Sequence, residues 1–282
     1  MSLLTRFPVK TIIRLTRVWN LLIIVLAQFS ASAFLISESN LTDWRMFVVS
    51  FSTVLVAAAG YVINDYFDIK IDLINKPGEV MVGRSITRRS AIFLHSFLSA
   101  GGVLAGSLIS WKVALVNLVS SMLLWWYSSS LKRKPFSGNL SIALLTGTSL
   151  LMLYLVYPQS DHKVLLYAVF AFFMTLIREA VKDMEDLEGD RAFDCHTLPI
   201  IWGIAGTKKY VGILVIALSI STIAVHVYIQ PLPVTYFLAL ILLPLAWFSY
   251  RMIQADTVSE YHVLSLWSKF IMVTGILSMV LI

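Results

Sequence analysis

Charge is scarce in this sequence. Of its 282 residues only 13% are Asp, Glu, Lys or Arg, while 58% are hydrophobic. A soluble domain normally carries about twice that share of charge. A mean hydropathy of +0.81 likewise excludes a disordered or ordinary globular chain. Cysteine occurs once, at Cys195, which excludes an internal disulfide. With no CxxC or Cys/His cluster, a structural zinc site lacks ligands. His95, His162, His226 and His262 are scattered without metal-binding spacing. Asp194-Cys195-His196 has no third partner placed to make a nucleophile. Proline is nearly missing from the apolar runs, with Pro244 the single one deep inside.

What is present is a series of apolar runs, each near the 20 or so residues that cross a bilayer as a helix. They lie near 18–36, 46–64, 91–110, 113–131, 140–157, 164–181, 208–229, 233–250 and 264–282. The runs are continuous rather than alternating, which argues for helices over a β-barrel. The expectation is an all-α integral membrane protein with nine transmembrane helices in one domain, 1–282. A basic start, an apolar run and "ASA" at 31–33 resemble a secretory signal, but the run continues through Phe34 and Leu35, so retention is expected. Basic residues collect in alternate connections: Arg6, Lys10, Arg14 and Arg17; Lys70, Lys76, Arg84, Arg88 and Arg89; Lys132, Arg133 and Lys134; Arg191, Lys208 and Lys209. That asymmetry predicts a cytoplasmic amino terminus and cytoplasmic large loops, in the inner membrane if the cell is prokaryotic. The net charge of +6 then reflects these loops and anionic headgroups rather than nucleic acid.

Three aspartates, Asp65, Asp68 and Asp72, follow the second run directly in "NDYFDIKID". The sixth run ends in "KDMEDLEGD", with Asp183, Asp186 and Asp190 at the same +3 and +4 offsets, 118 residues further on. At 100° per residue each trio falls within about 60° of one helix face. The repetition suggests two related halves, about 1–137 and 138–282. One such trio is well explained as a solvated helix end. Two at identical spacing, each closing a membrane-length run, call for a cation, because facing carboxylates repel. Oxygen ligands without His or Cys suit Mg²⁺, which commonly bridges carboxylates to substrate phosphates. The expected ligand is therefore a diphosphate, and the membrane setting gives it a lipid tail.

"NDYFDIKIDLINKP" and "REAVKDMEDLEGDRAFDCHTLPIIWG" resemble the two signature motifs of the UbiA superfamily of intramembrane prenyltransferases. "YSSSLKRKPFSGN" at 127–139 is similar to the family's basic loop between spans four and five, and "RVWN" at 17–20 to its Arg-Pro-x-x-Asn opening without the proline. The resemblance covers essentially the whole chain. It implies nine helices around a central cavity, with Mg²⁺ as cofactor and a polyprenyl diphosphate as donor. Glu79 stands where many members have an arginine, while Arg84 remains.

On that resemblance, Asp65, Asp68, Asp72, Asp183, Asp186 and Asp190 are the metal and catalytic residues. Asn64 supports the first trio, and Arg84, Lys132 and Lys182 are candidates to neutralise phosphate. Lys132 also reads as a topology signal. Tyr61, Trp126 and Tyr127 could face an allylic cation or simply pack. Asn20 reads equally as a cavity residue near the diphosphate or as an interface amide. Arg178 and Glu179 are expected to pair structurally, with an acceptor contact as the other reading. Arg84, Arg88 and Arg89 follow the first trio and are expected to bind a phosphate on the acceptor, the competing account being that they anchor the loop to anionic headgroups. Arg84 and Arg88, four apart, share a face if their loop is helical. The motif wording is most similar to the branch that transfers geranylgeranyl to geranylgeranylglyceryl phosphate in ether-lipid synthesis. An aromatic acceptor of a quinone pathway is the alternative. Outside this class stand an ion-coupled transporter, whose carboxylates would lie nearer the bilayer midplane, and a non-catalytic lipid-binding protein. Donor length and oligomeric state are not encoded legibly.

Overall fold

The computed structural model describes residues 9–158, 162–228 and 233–281, and its regular structure is helical apart from one isolated bridge between Val82 and Ile86. Arg6 and the far edges of the expected runs 208–229 and 264–282 lie outside the described residues. The chain divides into two compact units, Met1–Leu26 with Thr42–Leu131, and Ala27–Leu41 with Lys132–Ile282.

The first unit contains α1 (Val9–Leu15), the start of α2 (Val18–Ser30), α3 (Trp44–Asn75), α4 (Arg88–Ser107) and α5 (Trp111–Ser129). α1 and α2 are separated at Arg17, which sits at φ 51°. α3 starts at Asp43, whose carboxylate accepts from the Arg45 amide at 2.9 Å, and runs on past the expected end at 64 through all three aspartates of the first motif. α4 shows why the unit belongs in lipid. Its buried positions are small or polar, Ala91, His95, Gly102 and Gly106. Phe93, Phe97, Leu104 and Leu108 repeat the same 4-7-4 spacing two residues later and are 66–69% exposed. Two residues correspond to about 200° of helix rotation, so the large apolar side chains point away from the core. A protein in water would reverse that pattern.

Small residues on the inward face let backbones approach closely, the usual solution where lipid is as apolar as leucine. A Cβ on Gly102 would lie 2.7 Å from Val56 Cγ2 and 3.0 Å from the Ser52 carbonyl oxygen, and one on Gly106 2.6 Å from the Asn117 amide nitrogen. The close approach brings the Asn117 amide within 3.0 Å of the Gly102 carbonyl, to which it donates. His95 is likewise buried, with Nδ1 3.0 Å from the Ala59 carbonyl.

The second unit holds α6 (Ser137–Val156), α7 (Lys163–Glu185), α8 (Leu187–Ala192), α9 (Leu198–Tyr228), α10 (Val234–Tyr236), α11 (Leu243–Gln254) and α12 (Val258–Leu277). Its core gathers Met174, Ile177, Val181 and Met184 of α7 with Leu218, Phe248, Leu264 and Ile271. α9 turns sharply at Gly203, whose φ of 69° is a backbone region that side chains disfavour. α12 opens on a capping box, in which Thr257 and Glu260 satisfy each other's backbone amides.

Eight helices among the described residues are long and apolar enough to cross a membrane. The count of nine expected from the sequence is not reached on that criterion. The expected run at 113–131 corresponds to α5, whose Lys112, Asn117 and four serines dilute its apolar content.

The tight contact at Gly102 is testable. Gly102→Val should destabilise the protein by about 1–3 kcal/mol through overpacking. Gly101→Ala, whose new Cβ would sit an ordinary 3.5 Å from Leu55 Cδ1, should leave thermal melting in detergent near wild type.

Candidate functional site

The first acidic trio lies on one uninterrupted helix, so Asp65, Asp68 and Asp72 share a face as the spacing requires. All three are half-buried. Asn64 donates to Asp68 Oδ2 at 2.7 Å across one helical turn. Arg17 donates to Asp65 Oδ1 at 2.9 Å, and its guanidinium lies 5.1 Å from the centre of the Tyr61 ring. Sequence reading took Arg17 only for a topology charge and part of the "RVWN" opening. Asn20 follows within a turn, its amide bonded to the Arg17 carbonyl at 2.8 Å.

The second trio departs from the expected stripe. α7 ends at Glu185, and Asp186 takes φ −93° and ψ 9° before α8 begins. Backbone bonds continue across the break, from the Asp186 amide to Lys182 and from the Asp190 amide to Asp186. The trio is therefore spread over the end of one helix, a junction and a short helix, with Gly189 buried beneath it. Asp183 Oδ2 accepts from the Asn139 amide at 2.9 Å. Asn139 closes the quoted segment "YSSSLKRKPFSGN", was not singled out there, and lies in the first turn of α6. Lys182 lies 4.0 Å from Asp186 Oδ2, so its charge is directed first at the motif.

The loops around the trios differ from expectation in one respect. Residues 77–87 form turns rather than a helix, so Arg84 and Arg88 do not share a helix face. Pro77 and Gly83 prevent a continuous helix there, the glycine sitting at φ 88°. Arg84 is exposed and donates to the Pro77 carbonyl at 2.7 Å, closing the loop on itself. Arg88 begins α4 and stacks 4.6 Å over the Tyr66 ring. Glu79 is exposed. In the second unit the His196 amide bonds to the Arg133 carbonyl at 2.7 Å, tying the loop after the second motif to the basic segment that carries half-buried Lys132. Tyr127, half-buried near the end of α5, belongs to the first unit. Cys195 is buried, with its thiol directed at the Phe193 carbonyl, a contact that offers no activation.

Two close side-chain pairs lie at the second motif. Arg178 and Glu179 pair at 2.7 Å, as expected. Glu185 and His262 pair at 2.9 Å, which sequence reading missed because 77 residues separate them.

No group of three His, Cys, Asp or Glu side chains among the described residues is gathered closely enough to hold a metal unaided. The donors on offer are carboxylate and amide oxygens, taken one or two at a time. That set fits Mg²⁺, which keeps several waters and binds through one or two carboxylates together with phosphate.

The model of the UbiA prenyltransferase family matches residues 22–270. The chain belongs to this family. It is therefore a prenyltransferase and an integral, multi-pass membrane protein. Among relatives of this UbiA protein, digeranylgeranylglyceryl phosphate synthase of Methanosphaera stadtmanae is 31% identical over 240 residues, 84% of this chain and 87% of that protein. The synthase of the same name from Saccharolobus solfataricus is 30% identical over 281 residues, 96% of each chain. A solved structure concerned with digeranylgeranylglyceryl phosphate synthase in membranes superposes with a TM-score of 0.71 at 25% identity, covering 96% of this chain and 97% of the other. A UbiA homologue from Archaeoglobus fulgidus, solved with DMAPP and Mg²⁺, has the same fold, with a TM-score of 0.70 at 16% identity over 96% of this chain and 100% of that one.

Asn139 orients an aspartate that has charged neighbours of its own. Asn139→Ala should lower turnover about 10- to 100-fold, the usual cost of losing a partner that orients a metal ligand. Some stability, about 1–3 kcal/mol, should be lost with the amide that Asp183 accepts from, so turnover is compared at a temperature where both proteins are folded.

Proposed function

We propose that this protein transfers a geranylgeranyl group from its diphosphate to geranylgeranylglyceryl phosphate, forming the second ether of a glycerol lipid. The observation that carries the reading is the pair of relatives bearing the synthase name at 30–31% identity over 84–96% of this chain. The donor set at both acidic motifs supports it chemically. The acceptor hydroxyl oxygen bonds to the allylic C1 of the donor, the C1–O bond to diphosphate breaks, and the hydroxyl proton leaves with the diphosphate.

In this reading Asp65, Asp68 and Asp72 with Asn64, and Asp183, Asp186 and Asp190, hold Mg²⁺ and through it the donor diphosphate. Bound Mg²⁺ neutralises the charge that builds on the leaving diphosphate as the allylic bond breaks. Asn64 and Asn139 hold Asp68 and Asp183 in fixed rotamers, so ordering these carboxylates costs little entropy on binding. Lys132, Lys182 and Arg84 add positive charge for phosphate oxygens. Asn20 and Tyr127 serve as substrate-lining groups. The motifs and basic loops face the cytoplasm, where a water-soluble diphosphate product is released.

Asp68→Asn and Asp186→Asn each keep side-chain shape and remove one anionic ligand. Each should cut turnover at least about a hundredfold with melting unchanged; near-normal turnover at saturating Mg²⁺ would remove that residue from the ligand set. The acceptor is tested with purified protein, geranylgeranyl diphosphate and a panel of glycerol phosphate ethers and hydroxybenzoates, read by mass spectrometry. The phosphate ether should be prenylated and a strong chelator should stop the reaction. Efficient prenylation of a hydroxybenzoate with the ether ignored would transfer the assignment to quinone synthesis.

A further inference from the structure

Arg178 is a cation placed well inside an apolar helix, on α7 between Lys163 and Glu185. Its side chain is 19% exposed, and its partner Glu179 is 10% exposed. The contact runs from Nη1 of the arginine to one carboxylate oxygen at 2.7 Å. The Nε–H is buried and has no hydrogen-bond partner among the described residues.

That geometry is a poor structural ion pair. Adjacent helix residues point about 100° apart, so Glu179 meets the end of the guanidinium rather than embracing its Nε/Nη edge. A purely structural arginine at this depth should use its fork in full, because an unmet buried donor costs about 1–3 kcal/mol. An ionisable group retained inside a membrane helix is by default a candidate functional residue. Arg178 also lies on the same helix face as Lys182, one turn nearer the motif. Five residues separate it from Asp183, about 7.5 Å along the helix axis and about 140° around it. A group at that height and on that different face is set apart from a diphosphate held by the acidic stripe. It is well placed for the charged end of a second substrate whose hydroxyl must meet the donor's C1, since a glycerol phosphate separates its hydroxyl and phosphate by a few bonds.

We infer that Arg178 binds the phosphate of the acceptor, with its free Nε–H donating to a phosphate oxygen and Glu179 holding the guanidinium in position. The inference rests on the phosphate-acceptor reading given above and adds the residue that selects it. Neither Arg84, engaged with its own loop, nor Arg88, stacked on Tyr66, offers a comparable buried donor.

The test uses the full-length protein in detergent with geranylgeranyl diphosphate and geranylgeranylglyceryl phosphate. Arg178→Gln should raise the acceptor KM at least about tenfold and leave the donor KM within about twofold. Stabilisation of the protein by the acceptor alone, read as a rise in melting temperature, should be present in wild type and lost in the variant. Arg178→Lys keeps the charge but has no Nε–H in that position. Its acceptor KM should also rise, and it carries the test if Arg178→Gln fails to fold. A folded variant with unchanged acceptor KM, or with the donor KM moved instead, overturns the inference while leaving the acceptor reading intact. A wild-type enzyme that ignores the phosphate ether and is not stabilised by it overturns both.

Discussion

Carboxylates that close apolar helices must be held by something, and the local architecture of both units follows from how that is done. An unpaired buried charge costs several kcal/mol. Asp65 is met by Arg17, Asp68 by Asn64 and Asp183 by Asn139. Two of these three partners are neutral amides. The third is an arginine whose side chain is 37% exposed, against 15% for its aspartate. If the trios receive divalent cations, as proposed, they cannot be cancelled by fixed, buried positive charge, or the ion would have nothing to bind. Amides hold a carboxylate in place at little electrostatic cost to an incoming metal, and a half-exposed arginine can move aside. The other Arg/Lys–carboxylate contacts of the second unit, the one-ended contact of Arg178 with Glu179 and the surface pair of Lys208 with Asp256, lie outside the trios.

The packing that permits these polar contacts is the inverse of a soluble core. On α4 glycines and alanine face inward while phenylalanines and leucines face out. Close backbones bring side-chain donors within reach of main-chain carbonyls, as Asn117 meets Gly102 and Gln28 meets Ser149. Each such bond satisfies a group for which lipid offers no partner. Small inward residues are thus a condition for polar chemistry at the helix ends, since they let the helices be fixed without a bulky apolar interior.

Much of this was legible in the residues. The two acidic trios, their identical offsets and their place at the ends of membrane-length runs are linear features, and α3 carries the first trio on one face as the helical period requires. The second trio shows the limit of that reasoning. Leu187 to Ala192 continue the helical pattern in sequence, yet Asp186 adopts a bridge conformation, and nothing in "KDMEDLEGD" other than Gly189 announces it. Arg17 was invisible as a partner because a positive charge before a first span already has an explanation in topology. Asn139 and His262 meet acids 44 and 77 residues away, a distance that periodicity does not bridge. At 77–87 the four-residue spacing of Arg84 and Arg88 left their shared face conditional on a helix, and Pro77 and the left-handed Gly83 decide against one.

On the proposed assignment of donor and acceptor, α7 would order two substrates by depth. Its last residues carry the acids that suit a metal and a diphosphate, with Lys182 among them. One turn further in come Glu179 and Arg178, and beyond Thr175 its buried positions are Met174, Ala168 and Val164. Polarity thus falls stepwise along a single rigid element, at 1.5 Å per residue. Two lipid substrates with charged heads and apolar tails are matched by such a gradient. In the proposed reaction their heads would be held at defined heights by side chains that cannot slide relative to each other, while their tails need only apolar surface, worth about 0.8 kcal/mol per buried CH₂ whatever its shape. Specificity in a prenyl transfer of this kind therefore resides in the few polar residues of the helix and in their spacing. The apolar remainder sets affinity for any tail long enough to reach it.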